Sequence, residues 1–413
     1  MIQQAAVLRA PLGSRRQEPA TRARLLLLAT LAVVVAGCRE AASPQRVSRR
    51  VVGDTTFVLS PADGVEGPIR LAESLRITEP TLDFSRVDAG AFGPSGTIWI
   101  FDAAGPHGAT IHVVDSLGRT STPAGREGEG PGEYRAPLRI FRLADSTMLV
   151  KEMSTTRAVL FSGAGAVLST IALPPKVAGG WVVTPDTTGG WFITVSFEDN
   201  TPSRIGRFGW LHFDHAGNVI DTVHPPTYML SEPTPDGIAP GRIRTVGRDG
   251  SVLTTVPGPN RVTRYALDHS VLVMEWPGLP PEYGDAERAD MQVVEDRMRE
   301  LFGEAKRALP TRKQPANRIL TDGSGNLWVQ LSTVGERIPD EELSKDQGPL
   351  TVKWREPDRW AAFHRDGTLR FVVDLPPHAR LLDREGDRLL GVVADDTGAE
   401  QVVVWRIVSR AGR

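Results

Sequence analysis

Ala91-Phe92-Gly93-Pro94-Ser95-Gly96-Thr97-Ile98-Trp99-Ile100-Phe101-Asp102, followed by Thr110-Ile111-His112-Val113-Val114-Asp115-Ser116-Leu117-Gly118, has a second copy more than two hundred residues later. The copy is Ile319-Leu320-Thr321-Asp322-Gly323-Ser324-Gly325-Asn326-Leu327-Trp328-Val329, followed by Trp360-Ala361-Ala362-Phe363-His364-Arg365-Asp366-Gly367. Each unit reads as a β-branched strand, a Gly-rich polar turn, a strand carrying tryptophan, and a further strand ending in another polar-Gly turn. Fainter copies centre on Met148-Leu149-Val150, Trp191-Phe192-Ile193, Val252-Leu253-Thr254 and Leu389-Leu390-Gly391-Val392. Taking Trp99, Leu149, Phe192, Leu253, Trp328 and Leu390 as equivalent gives six units. Some intervals exceed the roughly 40–50 residues of a four-stranded blade, so the longer ones carry insertions.

Sheets repeated in this way close radially, leaving only short edges exposed. The expectation is an all-β, six-bladed β-propeller over residues 51–413. Val51-Val52-Gly53-Asp54-Thr55-Thr56-Phe57-Val58-Leu59 alternates like a strand ahead of the first repeat, and it is expected to complete the last blade. Residues 125–137, Gly-Arg-Glu-Gly-Glu-Gly-Pro-Gly-Glu-Tyr-Arg-Ala-Pro, form a Gly-rich run ending in an aromatic and a proline. This run resembles the loop before a blade's inner strand in NHL-type six-bladed propellers. A helical insertion is expected at 281–312, between the fourth and fifth blades. There Met291, Val294, Met298, Leu301, Ala305 and Leu309 fall at helical spacing, with Asp285 suited to the N-terminus and Pro310 to the stop. This helix packs its stripe on the ring or serves as a lid over the channel.

The first 37 residues read as a signal peptide: five arginines, then the apolar run Leu25 to Ala36, too short for a spanning helix before Arg39-Glu40. Val35-Ala36-Gly37-Cys38 resembles the cleavage motif of bacterial lipoproteins. That resemblance implies a diacylglycerol thioether on Cys38, the chain's only cysteine, and a membrane partner engaged through this lipid. Arg39, in the place of an inner-membrane retention aspartate, implies the outer membrane of the cell envelope. Residues 38–50 are expected to be a flexible tether.

Residues 1–37 hold five arginines against one glutamate, so without them the formal charge of −2 becomes four units more negative. An acidic body argues against nucleic acid as a partner. With Cys38 lipidated, disulfides and thiolate chemistry are unavailable to the body.

No catalytic constellation is legible. The 125–137 loop has glycine spacing reminiscent of phosphate cradles, but it is acidic, contains Pro131 and opens no helix. His212-Phe213-Asp214-His215 is the one close histidine pair, and a third zinc ligand cannot be named. Asp322-Gly323-Ser324-Gly325-Asn326 gathers oxygen ligands but reads more economically as a hairpin turn. Related propeller hydrolases and lactonases hold a divalent cation at the channel mouth. No cofactor is therefore expected, a divalent cation such as calcium being the alternative. Trp99, Trp191, Trp328 and Trp405 read as core, whereas Trp181, Trp210, Trp276, Trp354 and Trp360 lie nearer strand ends where an indole could stack on a ligand. The leading functional expectation is a noncatalytic binding or scaffold module for an envelope protein, peptide or glycan. The alternative is a divalent-metal-dependent hydrolase, lactonase or lyase working in the channel.

Overall fold

The computed structural model describes residues 46–409, apart from 79–81, 83, 106–107, 136, 153–154, 178–182, 198–206, 226–243, 303–308, 341–342, 344–352 and 396–397. Cys38 and the segment before it lie outside the described residues. No helix among the described residues is long and apolar enough to cross a membrane.

Six sheets form the blades of a β-propeller, each an up-and-down run from an inner strand outward. The inner strands are Val87–Phe92, Pro137–Arg142, Val183–Pro185, Arg244–Val246, Ala316–Thr321 and Ala379–Glu385. The six residues taken as equivalent in the sequence all lie on second strands, and all are buried. Their side chains share one geometric role, because period-2 alternation turns each toward the following blade. Trp99 joins the core between blades 1 and 2, and Leu149 that between 2 and 3. Phe192, Leu253, Trp328 and Leu390 continue the series through the remaining interfaces to the seam between blades 6 and 1. Their strand neighbours face backward: Ile100 belongs to the 6–1 core and Val150 to the 1–2 core. Each blade thus presents an apolar face to both neighbours.

The turns follow from the residues that need them. A Cβ on Gly93 would stand 2.8 Å from Trp99 Nε1, so only glycine lets the indole lie under the first turn. In the second copy Gly325 adopts φ +80°, and Asp322 Oδ1 accepts from the Ser324 and Asn326 amides, both at 2.8 Å.

The ring is closed differently from the sequence expectation. Ile69–Ile77, rather than 51–59, pairs antiparallel with Glu400–Ser409 as the outer strand of blade 6. Ser48–Val52 and Thr55–Leu59 form a hairpin turning at Gly53 (φ +57°), and Thr55–Leu59 adds in parallel to the outer edge of blade 4. Alternation identifies a strand but not its partner. The true closing strand was masked by a bulge between Glu73 and Leu75, where the Ser74 hydroxyl donates to Val404 O, and by an outward face of Arg, Glu and Ser. Between the two, Val65 and Glu66 amides donate to Leu369 O and Arg370 O on blade 5. Residues 48–77 therefore run along the outer edges of blades 4, 5 and 6, and the first described strand starts at Ser48, three residues before the expected domain start.

The helix Asp285–Phe302 follows the outermost repeat strand of blade 4, Val271–Glu275, in the chain. Its insertion is zipped at the base by the Glu282–Arg312 bridge and by the Lys313 amide donating to Pro281 O at 2.9 Å. The expected apolar stripe is not what holds it. Met291 and Val294 are half-buried and Leu301 is exposed, whereas the buried residue is Glu287, which meets Lys313 Nζ at 2.7 Å. Lys313 also pairs with Glu356 at 2.9 Å, and Asp290 accepts from Lys353 Nζ (2.6 Å) and Trp354 Nε1 (2.9 Å). Charges pin the first half of the helix to the insertion between the second and third strands of blade 5. Ala305 lies outside the described residues.

Candidate functional site: an arginine-lined axial channel

All six inner strands contribute to a central cavity of about 890 Å³, within the size range of small-ligand sites. Its lining includes Arg139, Arg142, Arg248, Arg318, Arg380 and Arg384, with Asp88, Asp322, Asp358, Asp383 and Glu385. Most of these charges stand on the inner strands, whose residues line the axis, while Arg248, Asp322 and Asp358 reach it from turns and loops. Strand register sorts the arginines into tiers. Ile140 and Ile319 hold equivalent places opposite Val150 and Val329, so Arg139 and Arg318 lie at one level. Arg142 and Arg384 sit one step beyond the equivalence residues, and Arg248 lies on the turn beyond Val246.

The carboxylates are committed to the fold. Asp383 Oδ2 accepts from the Phe92 amide at 2.9 Å, stapling blade 6 to blade 1. Asp358 accepts from the Leu381 amide at 2.9 Å and from Gln330 Nε2, stapling blade 5 to blade 6. Asp322 takes its own turn amides, the Asn326 side chain (2.9 Å) and Arg384 (3.3 Å), while Glu385 pairs with Arg142 at 2.6 Å and with Arg388. Burial pushes the Asp383 carboxyl up, against the Phe92 hydrogen bond and the Arg384 charge. At Asp322 burial is the largest influence, yet Asn326 and Arg384 outweigh it and hold the group below its usual range.

Three of the guanidiniums are less fully engaged. Arg318 donates to Leu381 O (3.1 Å) and Leu382 O (3.5 Å), both neutral carbonyls. Arg248 Nη2 donates to Asp186 O at 3.1 Å, and among the described residues its buried Nε has no partner. Arg384 lies over the Trp328 ring with its side chain only 5% exposed, and its Nε is likewise without a partner. Burial drives the Arg318 pKa down to about 10, Arg139 adding to the fall while Asp383 and Asp358 oppose it. Burial also lowers Arg139, Arg248 and Arg384, with Arg142 pressing on Arg248 and Arg248 on Arg384.

The residues singled out from the sequence fall elsewhere. His212 Nε2 meets Asp186 Oδ2 at 2.7 Å and stacks on Phe192, Asp214 accepts from Asn218, and His215 lies 3.5 Å from Asp145. The three do not converge, and among the described residues no group of three His, Cys, Asp or Glu could hold a metal. The 125–137 loop is a blade-to-blade connection. Its Glu133 carboxylate accepts from Gly130 N (2.7 Å) and Arg126 Nε (2.6 Å), filling the place an anion would need. Buried Tyr134 accepts from Ile111 N at 2.8 Å. Trp210, Trp276 and Trp360 join Trp99, Trp191, Trp328 and Trp405 as buried core, Trp354 is half-buried on Asp290, and Trp181 lies outside the described residues. Sequence reasoning passed over the channel arginines. One signal was present: Arg139-Ile140 and Arg318-Ile319 recur at the same inner-strand position in two blades.

No family model matches the sequence, and neither does any curated protein. Among solved structures, an exported protein of Bacteroides fragilis, itself assigned as putative, matches at 11% identity over 85% of this chain and 99% of that one, with a TM-score of 0.47. A DUF4221-family member from Bacteroides vulgatus matches at 10% identity over 83% and 99%, with a TM-score of 0.46. A catalytically inactive virginiamycin B lyase from Staphylococcus aureus, bound to quinupristin, matches at 11% identity over 83% and 100%, with a TM-score of 0.41.

Proposed function

We propose that this protein is a lipoprotein of the bacterial envelope, anchored through Cys38 in the outer membrane, whose NHL-like propeller binds a ligand in its axial channel without turning it over. The observation that carries this reading is the ligand-sized channel to which every blade contributes, inside a ring closed by apolar cores. Support for a noncatalytic role comes from the carboxylates, whose lone pairs hold backbone amides of adjoining blades and turns. A general acid or base must instead exchange protons with a substrate. The Val35-Ala36-Gly37-Cys38 motif supports the anchor.

The test is capture. Immobilised full-length protein is incubated with envelope extract, and the bound material is compared by mass spectrometry with the input. A ligand recovered with unchanged mass, retained equally with EDTA present, is the expected result. Release of a cleaved product that stops with EDTA would replace this reading with the metal-dependent hydrolase or lyase.

A further inference from the structure

We infer that the channel is a site for a small ligand bearing two or more oxyanion groups, carboxylate or phosphate, held between Arg318 at one level and Arg248 with Arg384 at the next. This rests on the proposed binding role and names the chemistry of its ligand.

The asymmetry between acceptors and donors carries the inference. A guanidinium offers five N–H donors in a planar fork and cannot discharge itself by losing a proton near neutral pH. Among the described residues, Arg318 uses its fork on two neutral carbonyls and Arg248 makes one side-chain hydrogen bond, to another carbonyl. The nearby carboxylates act on them only through space, their hydrogen-bonding oxygens being held by amides and side chains elsewhere. Among the described residues two buried Nε–H groups, of Arg248 and Arg384, have no acceptor, an arrangement that folded proteins rarely leave unanswered. Crowding like charges in a low-dielectric channel is unfavourable alone, and an oxyanion bound among them removes both penalties at once. The two levels explain why a ligand with separated anionic groups fits better than a single ion. Between the levels the cavity wall at Ile140, Ile319 and Leu381 carries no charge, which leaves room for a short carbon or sugar linkage.

The experiment is isothermal titration of the full-length protein in detergent with pyrophosphate, tricarballylate, inorganic phosphate and a neutral disaccharide. Pyrophosphate or tricarballylate is expected to bind one to one, more tightly than inorganic phosphate, and the stronger of the two identifies the oxyanion. Arg318→Gln and Arg248→Gln should each weaken that binding at least tenfold, and Arg248→Lys should recover part of it. Circular dichroism checks the fold of each variant. Should Arg318→Gln disturb it, Arg248→Gln decides, because Arg248 sits on a turn. Absence of binding by both polyanions, or binding unchanged in Arg248→Gln, overturns the inference. Capture of a neutral ligand by a protein that ignores polyanions would sink this inference and leave the binding role standing.

Discussion

The interfaces between blades and the axis they surround differ in what each position must satisfy. At the interfaces, Trp99, Leu149, Phe192, Leu253, Trp328 and Leu390 repeat one role around the ring, and each is buried against the following blade. On the axis the repetition is partial, Arg139 and Arg318 sharing one position in only two blades. Blades 2, 5 and 6 send arginines from their inner strands, blade 4 adds Arg248 from its turn, and blade 1 offers Asp88 with Ala89 and Gly90. A blade must present a matching surface to its neighbours or the ring fails to close, whereas an axial side chain lies outside those apolar cores and is free to differ. Repetition is therefore evidence about packing, and departure from it marks positions released from that demand.

The most severe way to sharpen this contrast is to open one interface. The seam between blades 6 and 1 includes Ile77 of the closing strand together with Phe92, Ile98 and Leu390. Removing residues 46–77 deletes that strand and leaves Glu400–Ser409 as a bare edge of hydrogen-bonding groups. The expected outcome is loss of a single cooperative melting transition. Removing only residues 46–59 takes the hairpin from the rim of blade 4 and should lower the melting temperature while preserving cooperativity. If both truncations melt alike, Ile69–Ile77 does not close the ring.

A single side chain tests the same contrast at smaller scale. Trp328 lies between Trp360, with centroids 6.5 Å apart, and Phe371 at 5.7 Å, in the core between blades 5 and 6. Trp328→Ala removes most of that contact and leaves a cavity, with an expected cost of about 3–5 kcal/mol in urea unfolding. A cost under about 1 kcal/mol would mean that the repeat residues are not the principal determinants of blade packing.

How much of the molecule could be read in advance follows from the same distinction. All six equivalence residues were legible because apolar alternation and Gly-rich turns survive even where the copies are faint. The closing strand was not, since the Ser74 bulge breaks its period and Ala72, Glu73, Ser74 and Arg76 point outward. The helix was visible as a change of texture, but its attachment through Glu287 and Asp290 was hidden, because the partners Lys313, Lys353 and Trp354 are remote in sequence. The channel was the least legible. An arginine in a strand reads as a solvated face until the topology shows that six inner strands point at one axis.

Lys151 crosses the boundary between the two regions and provides the smallest test. It alternates with Leu149 on the second strand of blade 2, so it occupies an interface position, yet it carries an amine. It is fully buried, and Nζ donates to Thr155 O at 2.8 Å and to Glu152 O. Burial lowers its pKa to about 8, the neighbouring Glu152 opposing the fall. The unfolded chain holds this proton up to about pH 10.4 and the folded chain releases it near 8, so the unfolded state binds more protons across that interval. Stability attributable to Lys151 should therefore be lowest below pH 8, rise with pH, and level off above the unfolded value. The expected gain is about 1–3 kcal/mol. Urea midpoints of the wild type and Lys151→Met, measured from pH 7 to 10.5, isolate this contribution because other titrating groups cancel in the difference. Convergence or crossing of the two curves as pH rises is the expected result. Parallel curves would show that the amine is solvated in the folded protein, placing Lys151 with the axial charges rather than with the interface it interrupts.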